Sequence, residues 1–191
     1  YEEHVITGNV DMAVGNIAFC GTKLNITGEV LPGFKIKCKG DVSVGKGVNN
    51  VQIMAGGMVK ITGGVVGQDA EIRAKGDIVL DFCENFGIIE TRGSLRVENF
   101  VVQGTVKTGG NMTVVNGKGT VIGGNYVIGG SMYVKDLGSE AEVITEVTVG
   151  LKPELEKRKR QVEAAKEYWP NRMNEILKNI STLNEMKKAE G

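Results

Sequence analysis

Histidine is almost missing from this chain. His4 is the only one, and it stands beside Glu2 and Glu3. A single imidazole, read as solvated, cannot build a multi-histidine metal site. It also leaves the rest of the chain without the commonest general base. Aromatic residues are 5% of the total and proline occupies three positions, so neither a bulky aromatic core nor a proline-rich linker is in view. The three cysteines, Cys20, Cys38 and Cys83, are widely spaced with no Cys-x-x-Cys pair. Such an odd set lacks pairing logic and points to a reducing compartment. Cys20 and Cys38 stand at apolar positions of the local alternation and are expected to be small buried hydrophobes.

Charge of one sign is also lacking. Lys plus Arg and Asp plus Glu are both 23, and the pI is near 6.8. That balance argues against the basic face of a nucleic-acid binder. No apolar run approaches the eighteen residues of a membrane-spanning helix, and no signal peptide is visible, so a cytoplasmic location is expected. The nucleotide-binding loops GxxxxGK[ST] and GxGxxG-before-helix are missing. So is the calcium-binding nonapeptide of some solenoids. No metal, cofactor, nucleic-acid partner or small-molecule substrate is expected. The chain begins with Tyr1 in the middle of a pattern and is read as a piece of a longer protein.

What is present is glycine, 28 residues among 191, interleaved with Val and Ile. In the stretch FKIKCK, Phe34, Ile36 and Cys38 alternate with Lys35, Lys37 and Lys39. Val42 and Val44, then Val51, Ile53 and Ala55, then Val59 and Ile61 continue the alternation. Period two marks strands with one buried face. These strands are short and bounded by glycine. Gly40, Gly57, Gly76, Gly93 and Gly110 each precede one, at a nearly constant step. A second series, Gly28, Gly47, Gly64, Gly87 and Gly104, has similar steps. A sustained period of about 20 residues predicts a solenoid, favoured here over a meander sandwich or barrel, whose strands run longer. In a single-stranded β-helix each short strand stacks on its equivalents, β-branched residues build the walls and glycine supplies the corners, where φ > 0 is expected. The pair of VIGG motifs at Val121 and Val127 is similar to the hexapeptide repeat of left-handed β-helix acyltransferases. Two copies do not sustain that repeat, and they are read as local corner chemistry.

The period changes after Gly150, where glycine disappears until Gly191 and helix formers dominate. Pro153 sits where a helix start tolerates proline, and Pro170 is expected to kink the helix or start a new one. Leu155, Val162, Trp169, Ile176 and Leu183 recur at heptad steps, with Met173 and Ile180 on a second seam. Lys159 and Lys166 occupy that second seam in the first half, so the stripe is thin there and needs a partner. Tyr168 and Trp169 form the one aromatic cluster of this segment, and aromatic anchors are enriched at interface hot spots. Leu155, Val162, Tyr168, Trp169, Met173, Ile176, Ile180 and Leu183 are therefore the candidate protein interface. The expected division is 1–149 as a β-helix solenoid and 150–191 as a helical coiled-coil arm, truncated here. The fold class is mainly β.

Other chemistry is thin. Asp41, Asp77 and Asp81 are the candidates for a carbohydrate-active site, since paired carboxylates perform acid/base work at defined separations. Asp41 and Asp77 occupy equivalent corners, however, and aspartate is an ordinary turn residue. The basic run Glu156–Gln161 reads as a solvated helix face, and the glycines near Asn116–Thr120 as a longer corner loop.

The opening GNVDMAVGNIAFCG from Gly8 to Gly21, the recurring Gly-Asp and Gly-Gly corners, the turns from Gly63 to Gly67, and the strand-to-helix junction TEVTVGLKPELEKRK from Thr145 to Lys159 resemble the FapA (flagellar assembly protein A) family over nearly the whole chain. The resemblance implies a central β-helix, taken as right-handed, joined to a long coiled-coil segment, and usually a further N-terminal domain that this chain lacks. It implies a bacterial, cytoplasmic, non-enzymatic scaffold or regulator in flagellar or cell-pole organisation; the thin helical stripe adds the expectation of a homo-oligomer or a docked protein partner. It supplies no catalytic residues. The competing class is a carbohydrate-active or acyl-transferring β-helix enzyme, which the scarcity of histidine and of carboxylate clusters disfavours.

Overall fold

A computed structural model describes residues 2–140 and 143–151, and within the C-terminal segment residues 155, 158, 159, 161–163, 165, 166, 168, 169, 172, 173, 176 and 178. The chain divides into two compact units, Tyr1–Pro153 and Glu154–Gly191. The first is a parallel β-solenoid.

One coil shows how the sequence closes it. Lys35–Cys38, Asp41–Val44 and Val48–Asn49 form three successive short strands, and Gln52–Ala55 begins the next coil. Each strand pairs with its equivalent one coil away, and the described pairings are parallel. Three sheets result. A first face runs from Glu3–Ile6 to Met132–Val134 and a second from Ile17–Phe19 to Thr145–Val149, each of eight strands. A third, of six strands, runs from Val48–Asn49 to Asp136–Leu137. Single bridges from Val48 to Val30 and from Val30 to Val10 extend the third face toward the N-terminus.

The register stacks like on like. On the second face Ile17, Ile36, Ile53, Ile72, Ile89, Val106, Tyr126 and Val147 form one inward column. Leu24, Val42, Val59, Ile78, Leu95 and Met112 do the same on the first face. Val48, Val65, Cys83, Val101 and Val121 do so on the third. These columns meet in one apolar core. A slip of one residue would turn a whole strand inside out, so the alternation itself fixes the register. The coils are not of equal length. The step from Ile53 to Ile72 is longer than the step from Ile36 to Ile53. The steps from Val106 to Tyr126 and from Tyr126 to Val147 are longer again, beyond the spacing of the series from Gly40 to Gly110. The loop at Asn116–Gly119 takes up the first of these excesses, with Gly117 and Gly119 at φ 48° and 67°.

The glycine corners work differently from expectation. Gly40, Gly57, Gly76, Gly93 and Gly110 precede first-face strands and share one corner, but none of them has positive φ. They are glycine because successive coils touch backbone to backbone there. A Cβ on Gly40 would lie 1.9 Å from the carbonyl oxygen of Thr22, and one on Gly76 would lie 2.9 Å from the carbonyl carbon of Gly57. Positive φ recurs instead at the bend that follows the third face, at Asn50, Gly67, Asn85, Gln103 and Gly123. Asn tolerates that conformation better than most residues. The second glycine series is not one corner. Gly47 and Gly64 lead into third-face strands, whereas Gly87 and Gly104 lead into second-face strands. Likewise the first VIGG ends at the bend after the third face and the second ends at the corner after the second face, so the two copies are not equivalent coil positions.

Polar side chains lock these corners. The Thr108 hydroxyl donates to the carbonyl of Gly93 at 2.7 Å and accepts from the amide of Gly110. Thr91 repeats the pattern with Gly76 and Gly93. Both threonines are buried, and among the described residues every buried side-chain nitrogen or oxygen has a partner.

Candidate interaction surface

Each described residue of the second unit between 155 and 178 is helical. Its composition explains why: Glu, Lys, Arg, Gln and Ala carry high helix propensity, and glycine is excluded until the end. The i,i+4 pair Lys159–Glu163, at 3.9 Å, adds a weak surface contact. Leu155, Val162, Trp169 and Ile176 stand one heptad apart and are 57%, 50%, 64% and 47% exposed. Met173 and Tyr168 are exposed as well. Tyr168 and Trp169 meet edge to face, with ring centroids 5.5 Å apart, a favourable aromatic geometry. Six of the eight candidate interface residues are therefore solvent-facing apolar side chains on helix. The other two, Ile180 and Leu183, lie outside the described residues, as does Pro170.

The acidic candidates serve the fold. Asp41 Oδ1 accepts the amide of Met58 at 2.7 Å, and Asp77 Oδ1 accepts the amide of Ser94 at the same distance. Ser94 Oγ and Asn111 Oδ1 continue this ladder to the amides of Asn111 and Ser131. Asp81 belongs to a different corner and accepts from the Asn99 side-chain amide. Asp41 and Asp77 are two coils apart, roughly 9.6 Å along the stack, with each carboxylate already engaged by the next coil. Among the described residues no group of three or more His, Cys, Asp or Glu side chains converges. His4 lies in the terminal first-face strand, its ring 5.8 Å from that of Phe19.

The cysteines split. Cys38 and Cys83 are buried, the first as expected, but Cys20 is exposed. It follows the strand Ile17–Phe19 and falls on the corner, so the alternation that predicted burial had already ended. Burial pushes the Cys83 thiol well above its usual range, which keeps it protonated and inert. Burial also raises the Tyr126 hydroxyl, with a smaller contribution from Cys83. That hydroxyl donates to the Gly123 carbonyl at 2.7 Å.

A groove of about 430 Å³ indents the outer side of the second face. Ala18, Met54 and Gly56 line it, together with Lys37, Lys39 and Lys75. Periodicity places Lys37 and Lys39 on the wet side of a strand but does not single out their meeting with Lys75. Aligning the coils on Cys38, Ala55 and Ala74 brings Lys39, Gly56 and Lys75 into one column.

Residues 2–191 match the profile of the Flagellar Assembly Protein A beta solenoid domain. This chain belongs to the FapA family. No curated protein and no solved structure matches it. No helix among the described residues is long and apolar enough to cross a membrane.

Proposed function

We propose that this FapA-family chain is a non-enzymatic scaffold, a right-handed solenoid platform that self-associates through a coiled-coil helical arm and docks a partner protein. The observation that carries the proposal is the apolar seam Leu155, Val162, Trp169 and Ile176, exposed at heptad spacing. An apolar stripe at a period of seven is complementary to a second copy of itself, because a and d side chains of one helix seat between those of another. Leaving Trp169 and Met173 in water is unfavourable, and burying them against a like seam removes that surface from solvent. The family name supports a place in flagellar assembly, and the reading puts the protein in the cytoplasm of a bacterium.

Sedimentation velocity over a concentration series tests this. The full chain should sediment as a dimer or larger species that dissociates on dilution, and the variant Leu155→Glu/Trp169→Glu/Ile176→Glu should be a monomer throughout. A full chain that remains monomeric at every concentration would remove self-association.

A further inference from the structure

The groove on the second face has an uncompensated charge. Lys37 follows Ala18 in one outward column, which continues to Met54 and Arg73. In the neighbouring column the ladder continues past the strands, with the amides of Lys39, Gly56 and Lys75 donating to Phe19, Cys38 and Ala55 of the preceding coil. Gly56 is the reason a groove exists there. It carries no side chain between Lys39 and Lys75, and a Cβ would lie 2.0 Å from the Lys39 carbonyl oxygen. Met54, 38% exposed, supplies apolar surface beside this gap.

None of the residues lining the groove is acidic. Arg73, one coil along, is held by Glu71 at 2.5 Å and Glu90 at 3.7 Å. Lys37, Lys39 and Lys75 take part in no ion pair among the described residues. We propose that this groove binds an extended acidic peptide segment of a partner protein, with carboxylates on Lys37, Lys39 and Lys75 and one apolar side chain over Met54. Lys39 and Lys75 are two coils apart, roughly 9.6 Å along the stack at the inter-strand spacing, a distance that about three residues of extended chain span. Three ammonium groups around an apolar floor match alternating acidic and apolar side chains in charge and in polarity. Glu71 and Glu90 on the same face would oppose a broad anionic membrane surface, so a narrow segment fits better than a bilayer.

This site deepens the scaffold reading by giving the partner contact a place and a chemistry, and it rests on that reading. The test is fluorescence anisotropy of the full chain with a labelled DEEFDED peptide, its neutral counterpart QNQFNQN, and phosphatidylserine–phosphatidylcholine vesicles. The acidic peptide should bind, with affinity falling as salt is raised, and the neutral one should not. Lys37→Gln/Lys39→Gln/Lys75→Gln should weaken binding at least about tenfold. The charge-matched control Lys23→Gln/Lys46→Gln/Lys60→Gln should change it less than about twofold, because those lysines lie off the groove. Equal loss in both triple variants, no binding of the acidic peptide, or tighter binding to the vesicles with the same lysine dependence would each overturn the proposal. Sedimentation reads self-association separately, so a groove that fails while the arm still dimerises is distinguishable from failure of the scaffold itself.

Discussion

Ile36, Ile53, Ile72 and Ile89 in the solenoid are fully shielded from water, whereas Leu155, Val162, Trp169 and Ile176 in the helical segment are between 47% and 64% exposed. Both sets repeat along the chain. In the solenoid the step is one coil, so each residue covers the next and the core completes itself within one chain. In the helical segment the step is one heptad, and the described side chains of that stripe remain exposed. The same aliphatic chemistry therefore specifies a fold in one region and, on the proposed reading, an assembly surface in the other.

The largest break in this comparison should come from the backbone stack. Gly40→Val introduces a Cβ that would stand 1.9 Å from the Thr22 carbonyl oxygen. The coils must part, and a loss exceeding about 4 kcal/mol, or failure to fold, is expected in denaturant unfolding. Ile72→Ala removes one link of the second-face column and should cost about 2–5 kcal/mol by the same measurement. Thr108→Val leaves the Gly93 carbonyl and the Gly110 amide without their side-chain partner. It should destabilise by about 1–3 kcal/mol, with no change in overall circular dichroism. The smallest effect belongs to the other region. Trp169→Ala should move solenoid unfolding by less than about 0.5 kcal/mol while weakening self-association. A substantial loss of solenoid stability from that substitution would break the division of labour between the regions.

The alternation of Val, Ile and Cys with Lys and Ser made the strands and their inward faces readable, because period two has one structural meaning here. The single-corner series from Gly40 to Gly110 made the coil length readable for the same reason: a backbone contact repeated in space is a glycine repeated in sequence. What glycine was doing at that corner was not legible. Close approach and positive φ leave the same residue in the sequence, and only the fold shows that Gly40 answers the first demand and Gly67 the second. Cys20 was misjudged because alternation was carried one residue past the end of its strand, onto the corner. The lysine groove was invisible for a further reason. Lys39, Gly56 and Lys75 become neighbours only when coils of unequal length are aligned in register, and an irregular step hides such columns from a fixed-period reading. That Leu155, Val162, Trp169 and Ile176 are helical was legible in the sequence, since helix formers and a heptad are local signals.

The most direct test of the account is hydrogen–deuterium exchange by mass spectrometry on the full chain at high and low protein concentration. The account predicts that amides of the central coils, from Lys35 to Val114, stay strongly protected and unchanged on dilution, while protection across residues 155–178 falls as the seam loses its second copy. Protection of the helix that is the same at both concentrations would contradict it. Such a result would mean that the seam is covered within one chain or is stable alone, and that it is not the device by which two copies meet.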